Sequence, residues 1–156
     1  MFVLDADVIL TDCRYQRDSR HAVTRQVLDM LRQSGHPLGI TTQALLEVAG
    51  VLSFNVSAHL ISTLPTAIQT QYQLVVIPNP ESVPDYAGCS FAEIVHQMQE
   101  KMGLGDAVMS VQLRKFAPPN STLLTWNAKH FVGKIAIPVL TPAEWLAQQN
   151  PTGPTP

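Results

Sequence analysis

Two carboxylates near the start of the chain, Asp5 and Asp7, are the first residues whose positions suggest chemistry. They stand between two apolar runs, residues 2–4 and 8–10, and the whole stretch is typical of a buried β-strand. A buried strand does not tolerate an unpaired charge, so Asp5 is expected where the strand emerges, the end at which α/β sheets bind ligands. Carboxylates there could act as nucleophiles, transfer protons or bind hard cations. A turn or helix cap is the alternative role for Asp5.

Strand-like and helix-like segments alternate along the rest of the chain, which predicts an α/β fold with helices on both faces of a parallel sheet of about five strands. Thr41 and Thr125 close predicted strands, and Glu47 lies in the helix after the second strand. Asp106 is expected to start a helix that ends near Phe116, and the N-cap of that helix is one role open to it. The four later strands are predicted over residues 37–41, 74–77, 122–125 and 135–140.

Capping signals predict where several helices begin. The helix after residue 90 is expected to run to about Met102. The signals are Asp18 or Ser19, then Thr42, then the capping box of Ser90 and Glu93, and finally the capping box of Thr141 and Glu144.

Composition bounds the class of protein. With 156 residues, 46% of them hydrophobic and 14% charged, the chain fits one globular domain, predicted over residues 1–149, followed by a disordered tail over residues 150–156. The net charge of -2 excludes a global basic field, so any nucleic-acid contact must come from a local patch. Two cysteines without a CxxC pattern predict a cytoplasmic protein with free thiols, and no apolar run reaches the ~20 residues of a membrane span.

Five motifs, met in chain order, resemble those of the PIN-domain family, and within it the VapC-type toxin ribonucleases of toxin–antitoxin systems. The resemblance covers residues 1 to about 147. Each motif alone is weak, but five in order at sensible spacing are fairly specific. The motifs are LDADVI at residues 4–9, TTQALLE at 41–47, LGDA at 104–107, LTWNAKHF at 124–131 and PVLTPAE at 138–144.

The resemblance implies a metal-dependent ribonuclease with the three-layer α/β/α PIN-like fold and Mg²⁺ or Mn²⁺ as cofactor. Asp5, Glu47 and Asp106 match the family's metal-binding acids and are the predicted catalytic residues. The metal would activate a water molecule and stabilise the charge that develops on the scissile phosphate of RNA. Thr125 matches the family's hydroxyl position. Thr125 and Asn127 are expected to hydrogen-bond a ligand or a metal-bound water.

Two positions depart from the family pattern. Asn127 stands where many members carry a fourth acid, and an amide does not neutralise a second cation. Asp7 replaces the usual Asn and restores one negative charge, but a strand that ran straight through Asp5 and Asp7 would turn them to opposite faces. We therefore expect one metal ion or none without substrate, and a second ion only when RNA is present.

Four arginines between residues 14 and 25 form a basic cluster beside the end of the first strand. Arg14 and Arg17, extended by Lys129, are the predicted RNA-binding residues, because they supply phosphate contacts in a slightly acidic chain. A solvated loop and helix face is the alternative. Trp126 could stack on a base or pack under the sheet edge. The five histidines show no zinc spacing and are expected to be surface or packing residues.

Two other functions stay open beside the ribonuclease. Asp5 and Asp7 fit the nucleophile and the acid/base of a haloacid-dehalogenase-like phosphatase. Against it, the acid that such enzymes need after Asp106 is absent, since residue 110 is Ser, and Glu47 is left unexplained. The second alternative is a non-catalytic PIN-like interaction module, which the amide at Asn127 favours.

The helices between residues 42 and 64 predict a homodimer. Their apolar side chains go nearly all round the helix and its end, and helices of that kind are buried. VapC-like relatives pair through this region, and the resemblance also implies an antitoxin protein as partner. The apolar residues are Leu45, Leu46, Val48, Val51, Leu52 and Phe54.

Overall fold

One sheet of five parallel strands lies within residues 1–82 and 88–149, the part of the chain that the computed structural model describes. The predicted tail at residues 150–156 lies outside that part, as do residues 83–87 of the predicted loop over 78–88. The strands are β1 (Phe2–Leu4), β2 (Leu38–Thr41), β3 (Leu74–Ile77), β4 (Thr122–Leu124) and β5 (Val139–Leu140).

Helices cover both faces of this sheet. Val3 and Leu4, which are consecutive in β1, are both fully buried, as are Leu123 and Leu124 in β4. Because consecutive strand residues point to opposite faces, each face must carry a packed layer. The helices are α1 (Ala6–Cys13), α2 (His21–Gln33), α3 (Thr42–Ser53), α4 (Ala58–Ile61), α5 (Leu64–Tyr72), α6 (Phe91–Gln99), α7 (Leu104–Phe116) and α8 (Pro142–Gln149).

The strand order, β3-β2-β1-β4-β5, places β1 in the centre of the sheet. The chain builds outward from β1 through β2 to β3, then returns to the other side of β1 and adds β4 and β5. The order therefore reverses between β1 and β4. In open α/β sheets, ligands bind outside the carboxyl ends of the strands at such a reversal.

The first strand is shorter than predicted. It ends at Leu4, and α1 begins two residues later, so the prediction of a strand across residues 2–10 is wrong beyond Leu4. Asp5 is extended and caps α1, because its side chain accepts a hydrogen bond of 2.6 Å from the Ala6 N–H. The apolar residues 8–10 are buried in this helix. An apolar run by itself does not distinguish a buried strand from a buried helix, and here the Asp5 cap makes the difference.

Two helices that carry predicted acids begin earlier than predicted. The cap of α3 is Thr41 rather than Thr42, since the Thr41 hydroxyl accepts a hydrogen bond from the Ala44 N–H at 3.1 Å. The cap position of α7 is Gly103, so Asp106 lies inside the first turn and is not the cap. A carboxylate in the first turn is still favourable, because the helix N-terminus is electropositive.

Three further boundaries differ from the predictions. Arg20 occupies the cap position of α2 without a side-chain hydrogen bond, so neither Asp18 nor Ser19 caps this helix. The helix α6 ends at Gln99, before the predicted Met102. The strand β5 contains two residues, and residues 135–138 precede it without pairing in the sheet. Apolar periodicity locates an element better than it locates its ends.

Both capping boxes and the third strand are confirmed. Ser90 and Glu93 exchange hydrogen bonds between side chain and backbone at the start of α6. Thr141 and Glu144 do the same at the start of α8. β3 covers the predicted residues, and the two cysteines are free thiols. No helix in the described part of the chain is long and apolar enough to cross a membrane.

Candidate active site

Thr125 joins the carboxyl ends of the two strands between which the strand order reverses. It directly follows β4, as Asp5 directly follows β1, and its side chain is fully buried. The Thr125 hydroxyl lies 2.7 Å from Asp5 Oδ2 and 3.2 Å from Asp7 Oδ2 and accepts a hydrogen bond of 3.0 Å from the Asn127 N–H. The single proton of this hydroxyl thus lies near two carboxylates, with the shorter distance to Asp5, and the hydroxyl oxygen is held by the backbone.

Asp7 faces the same site as Asp5. It lies in the first turn of α1, and its two carboxylate oxygens are 3.0 and 3.2 Å from the Trp126 N–H. The expectation that a straight strand turns Asp5 and Asp7 to opposite faces is wrong, because the chain enters a helix directly after Asp5. Asp7 therefore contributes a second carboxylate to the site.

Burial dominates the protonation of Asp5. The residue is 8% exposed, and the pKa of its carboxyl is raised to about 7, with burial as the main cause. The charges of Asp7 and Asp106 contribute to this rise, while hydrogen bonds from Thr125 and Ala6 oppose it. A carboxylate crowded by other acids in a desolvated place is the environment expected of a functional site that gains a cation or a proton.

The pKa of Asp7 is also raised, and burial is again the main cause. Hydrogen bonds from the Trp126 backbone and the Thr125 hydroxyl act against burial, as does the positive charge of Arg20. Arg20 is thus a positive charge next to the site, and the site residues predicted from the sequence do not include it. Its proximity to Asp7 results from the packing of α2 beside α1.

Glu47 and Asp106 lie at the same end of the sheet as Asp5. Glu47 is an exposed residue of α3, yet the pKa of its carboxyl is raised. Partial burial is the largest cause, and the negative charges of Asp5 and Asp106 add to it. The α7 backbone approaches it closely, since a Cβ atom placed on Gly105 would lie 3.9 Å from Glu47 Oε2. The three predicted acids therefore interact through their charges. Among the described residues, no three His, Cys, Asp or Glu side chains are positioned as a group that could hold a metal ion.

His130 contacts one of the predicted acids. Its Nδ1 lies 3.0 Å from Asp106 Oδ2, in the short 3₁₀ turn Ala128–His130 that follows β4. The prediction that all five histidines are surface or packing residues misses this contact. The available signal was the position of His130 in the same motif as Thr125. Lys129, its neighbour, is exposed and forms no ion pair with another described residue.

Trp126 is held between the acids and α2. Its backbone N–H contacts Asp7, and its indole Nε1 donates a hydrogen bond of 3.0 Å to Thr24 Oγ1. The Cζ atom of Arg20 lies 5.7 Å from the centroid of the Trp126 ring, within the range of a cation–π interaction. The indole nitrogen of Trp126 is therefore bound within the protein, as the packing alternative expects, and Arg20 covers the ring.

Arg14 follows α1 at the end opposite to Asp5, and Arg17 lies three residues further on. They line a cavity of about 520 Å³ in the loop between α1 and α2, together with Tyr15, Gln16 and Asp18. Arg25 from the same predicted cluster is engaged elsewhere, since its Nε lies 3.0 Å from a carboxylate oxygen of the buried Asp12.

Two solved structures share the fold of this chain. One is FitAB bound to an IR36 DNA fragment, with 14% sequence identity and a TM-score of 0.59, over 91% of this chain and 95% of that chain. The other is VapBC2 from Rickettsia felis bound to a DNA fragment from their promoter, with 14% identity and a TM-score of 0.57, over 90% of this chain and 97% of that chain. No protein-family model and no curated protein matches the sequence. The likeness is one of fold, and it confirms the predicted PIN-like α/β/α arrangement around five parallel strands.

Proposed function

We propose that this chain is a metal-dependent ribonuclease of the PIN type, which hydrolyses phosphodiester bonds in RNA and acts as a VapC-like toxin. The observation that carries the proposal is the pair of carboxylates Asp5 and Asp7, bridged by the Thr125 hydroxyl at the reversal of the strand order. Asp106 and Glu47 support it through their charges, since Asp106 raises the pKa of Asp5, and Asp5 and Asp106 both raise the pKa of Glu47. The order of the five motifs and the fold shared with FitAB and VapBC2 support it.

A protein partner of the antitoxin type belongs to this proposal. FitAB and VapBC2 were both solved bound to DNA. We propose that this chain pairs with an antitoxin, as the resemblance of its motifs to VapC-type toxins implies, and that its own substrate is RNA.

We propose Mg²⁺ or Mn²⁺ as the cofactor, held by one or two carboxylates, since no three ligating side chains of the described residues form a ready metal-binding group. The site offers carboxylate oxygens, which hard cations prefer, and Mg²⁺ commonly takes only one or two carboxylates and completes its shell with water and substrate phosphate. The raised pKa of Asp5 reflects burial and repulsion between acids, both of which a bound cation would offset. Asp5 and Asp106 would hold the ion, with Glu47 as a further ligand or as the group that orients the attacking water. When bound, the ion supplies a nucleophilic water and stabilises charge on the phosphate.

Polar groups that follow β4 hold three of the acids in place. The Thr125 hydroxyl orients Asp5, and the Asn127 N–H in turn orients that hydroxyl. The Trp126 N–H holds the Asp7 carboxylate. His130 contacts Asp106 and limits the directions in which that carboxylate can point. Neighbouring groups of this kind set the orientation and basicity of metal-binding side chains.

The phosphatase alternative is less well supported by this geometry. An acid/base residue needs an oxygen that is free to exchange a proton with the substrate. Both oxygens of Asp7 accept hydrogen bonds from the Trp126 N–H, and one of them also lies near the Thr125 hydroxyl. The remaining alternative, a non-catalytic interaction module, is excluded if the chain cleaves RNA in a metal-dependent way.

The test compares Asp5→Asn and Asp106→Asn with the unaltered chain on single-stranded RNA, with Mg²⁺ or Mn²⁺ and with a chelator. The unaltered chain should cleave RNA only with metal, and each variant should lose at least ~100-fold in rate, because a charged ligand of the reacting centre is gone. Asp29→Asn is the matched control, since Asp29 is half exposed and pairs only with Arg32 on α2.

The variants must remain folded, which thermal unfolding checks. If either site variant keeps full activity at matched purity, the mechanism is wrong. If the unaltered, folded chain cleaves no RNA with either metal, the interaction module replaces the nuclease.

A further inference from the structure

The loop between α1 and α2 carries a cavity that the proposed catalytic residues do not use. It measures about 520 Å³ and is lined by residues 14–18. Tyr15 in this cavity is 45% exposed, and the Cζ atom of Arg14 lies 5.9 Å from the centroid of its ring. An exposed aromatic ring beside guanidinium groups is the combination with which proteins bind single-stranded nucleic acid.

The cavity is also a local concentration of positive charge. Residues 14–20 contain three arginines and one aspartate, although the whole chain carries a net charge of -2. Asp18 pairs with Arg20 at 2.7 Å. Arg14 and Arg17 form no ion pair with any other residue in the described part of the chain. Two positive charges are therefore available to an anionic ligand at this loop.

A chain of contacts links the cavity to the acids. Asp18, which lines the cavity, binds Arg20, and Arg20 covers the ring of Trp126. The Trp126 N–H in turn contacts Asp7. The helix α1 spans the same interval, since it begins after Asp5 and ends just before the cavity. Its 8 residues correspond to about 12 Å.

We propose that this cavity is a subsite for one nucleotide of single-stranded RNA, in which Tyr15 stacks on the base and Arg14 and Arg17 contact phosphates. The inference rests on the proposed function, because it takes the scissile phosphate to lie at Asp5. A stacked strand rises ~3.4 Å per nucleotide, so about 12 Å corresponds to about four nucleotides between the two sites. Arg20 and Trp126 lie along the path of the intervening nucleotides.

Binding of labelled RNA, followed by fluorescence anisotropy, tests the subsite. All proteins carry Asp5→Asn so that the RNA stays intact, and the probes are a single-stranded ten-nucleotide RNA and a dinucleotide. Tyr15→Ala should weaken binding of the longer RNA about fivefold to hundredfold, while Tyr15→Phe, which keeps the ring, should bind like the parent. The combined Arg14→Ala and Arg17→Ala variant should lower the salt slope of binding by about 0.7 for each lost phosphate contact.

The matched controls lie on α6 and α7, outside the loop that lines the cavity. Phe91→Ala removes an aromatic ring that is 83% exposed, and Arg114→Ala removes an exposed guanidinium near Glu93. Neither should change the binding of either RNA. The dinucleotide, which is too short to reach from Asp5 to Tyr15, should bind more weakly to the parent than the ten-nucleotide RNA does.

Three results would overturn the subsite. They are unchanged binding of the longer RNA by the Tyr15→Ala and arginine variants, an equal loss of that binding in the Phe91→Ala and Arg114→Ala controls, and equally tight binding of the dinucleotide and the longer RNA by the parent. Failure of the proposed function looks different, because the unaltered chain would then cleave no RNA although the cavity variants still lose RNA binding. Cleavage by the unaltered chain with normal binding by the cavity variants would overturn the subsite alone.

Discussion

The hydroxyl of Thr125 donates a hydrogen bond of 2.7 Å to the carboxylate of Asp5, although 120 residues separate them in the chain. The contact exists because β1 and β4 are neighbours in the sheet and the two residues follow directly after their paired ends. It ties the two strands together where the order of the sheet reverses.

Removing the Thr125 hydroxyl should weaken both the fold and the proposed activity. In Thr125→Val, a nearly isosteric change, Asp5 and the Asn127 N–H each lose a partner. The free energy of unfolding should fall by about 1–3 kcal/mol, and RNA cleavage should fall more than tenfold. Thr125→Ser, which keeps the hydroxyl, is the control. Denaturant unfolding and a cleavage assay measure both effects, and equal values for the two variants would mean that the hydrogen bond is unimportant.

The metal-free protein should become less stable as the pH rises from about 4 to about 7. The pKa of Asp5 is about 7 in the folded chain and 3.8 as its ordinary value, so the folded state binds more protons in this interval. The stability associated with protonated Asp5 is complete below the unfolded pKa and is lost as the pH rises through the folded pKa. The free energy of unfolding of Asp5→Asn should therefore exceed that of the unaltered chain by up to about 4 kcal/mol at pH 8, and by little at pH 4.

Chemical unfolding at several pH values, with a chelator present, measures this difference. Asp29→Asn should follow the pH dependence of the unaltered chain, because Asp29 lies on the surface away from the acids. A constant difference between Asp5→Asn and the unaltered chain from pH 4 to 8 would contradict the raised pKa of Asp5.

Asn127→Asp should tighten metal binding. Asn127 is exposed, and its backbone N–H, which bonds to Thr125, is unaffected by the change. The new carboxylate adds a negative charge beside the site, so Mn²⁺ should bind more tightly and activity should peak at lower metal concentration. Calorimetric titration of the unaltered chain should show at most one site without RNA. Two tight sites there would show that the argument from the amide is wrong.

We expect the chain to be a homodimer that pairs through α3 and α4. Leu45 and Val48 are buried within the chain, so only part of the predicted apolar set remains for a partner. Phe54→Glu should yield a monomer by light scattering at tens of micromolar. Phe91→Glu, which changes another exposed phenylalanine on α6, is the control and should leave the dimer intact. A monomeric unaltered chain at that concentration excludes the homodimer. The exposed apolar residues of this surface are Leu46, Phe54, Leu60 and Ile61.

Local patterns in the sequence were sufficient to predict the α/β class, the number and approximate positions of the five strands, and the two capping boxes. Each of these depends on residues within one element, such as the periodicity of apolar side chains or the pairing of Ser90 with Glu93. The same kind of pattern placed Asp5 at the end of β1 and Thr125 just after β4. It did not distinguish the strand from the helix after Asp5, since a buried helix and a buried strand can share one apolar run.

Only the tertiary structure decided which polar groups meet. Asp7 shares Thr125 with Asp5, His130 contacts Asp106, and Arg20 covers Trp126. Two of these contacts join residues that lie more than 100 positions apart, and they depend on the order of strands in the sheet and on the angle at which helices leave it. The sequence by itself therefore determined the elements and the residue types at their ends. The packing of those elements determined which charges, hydroxyls and rings form one site, because side-chain contacts require proximity in space and local sequence patterns encode only proximity along the chain.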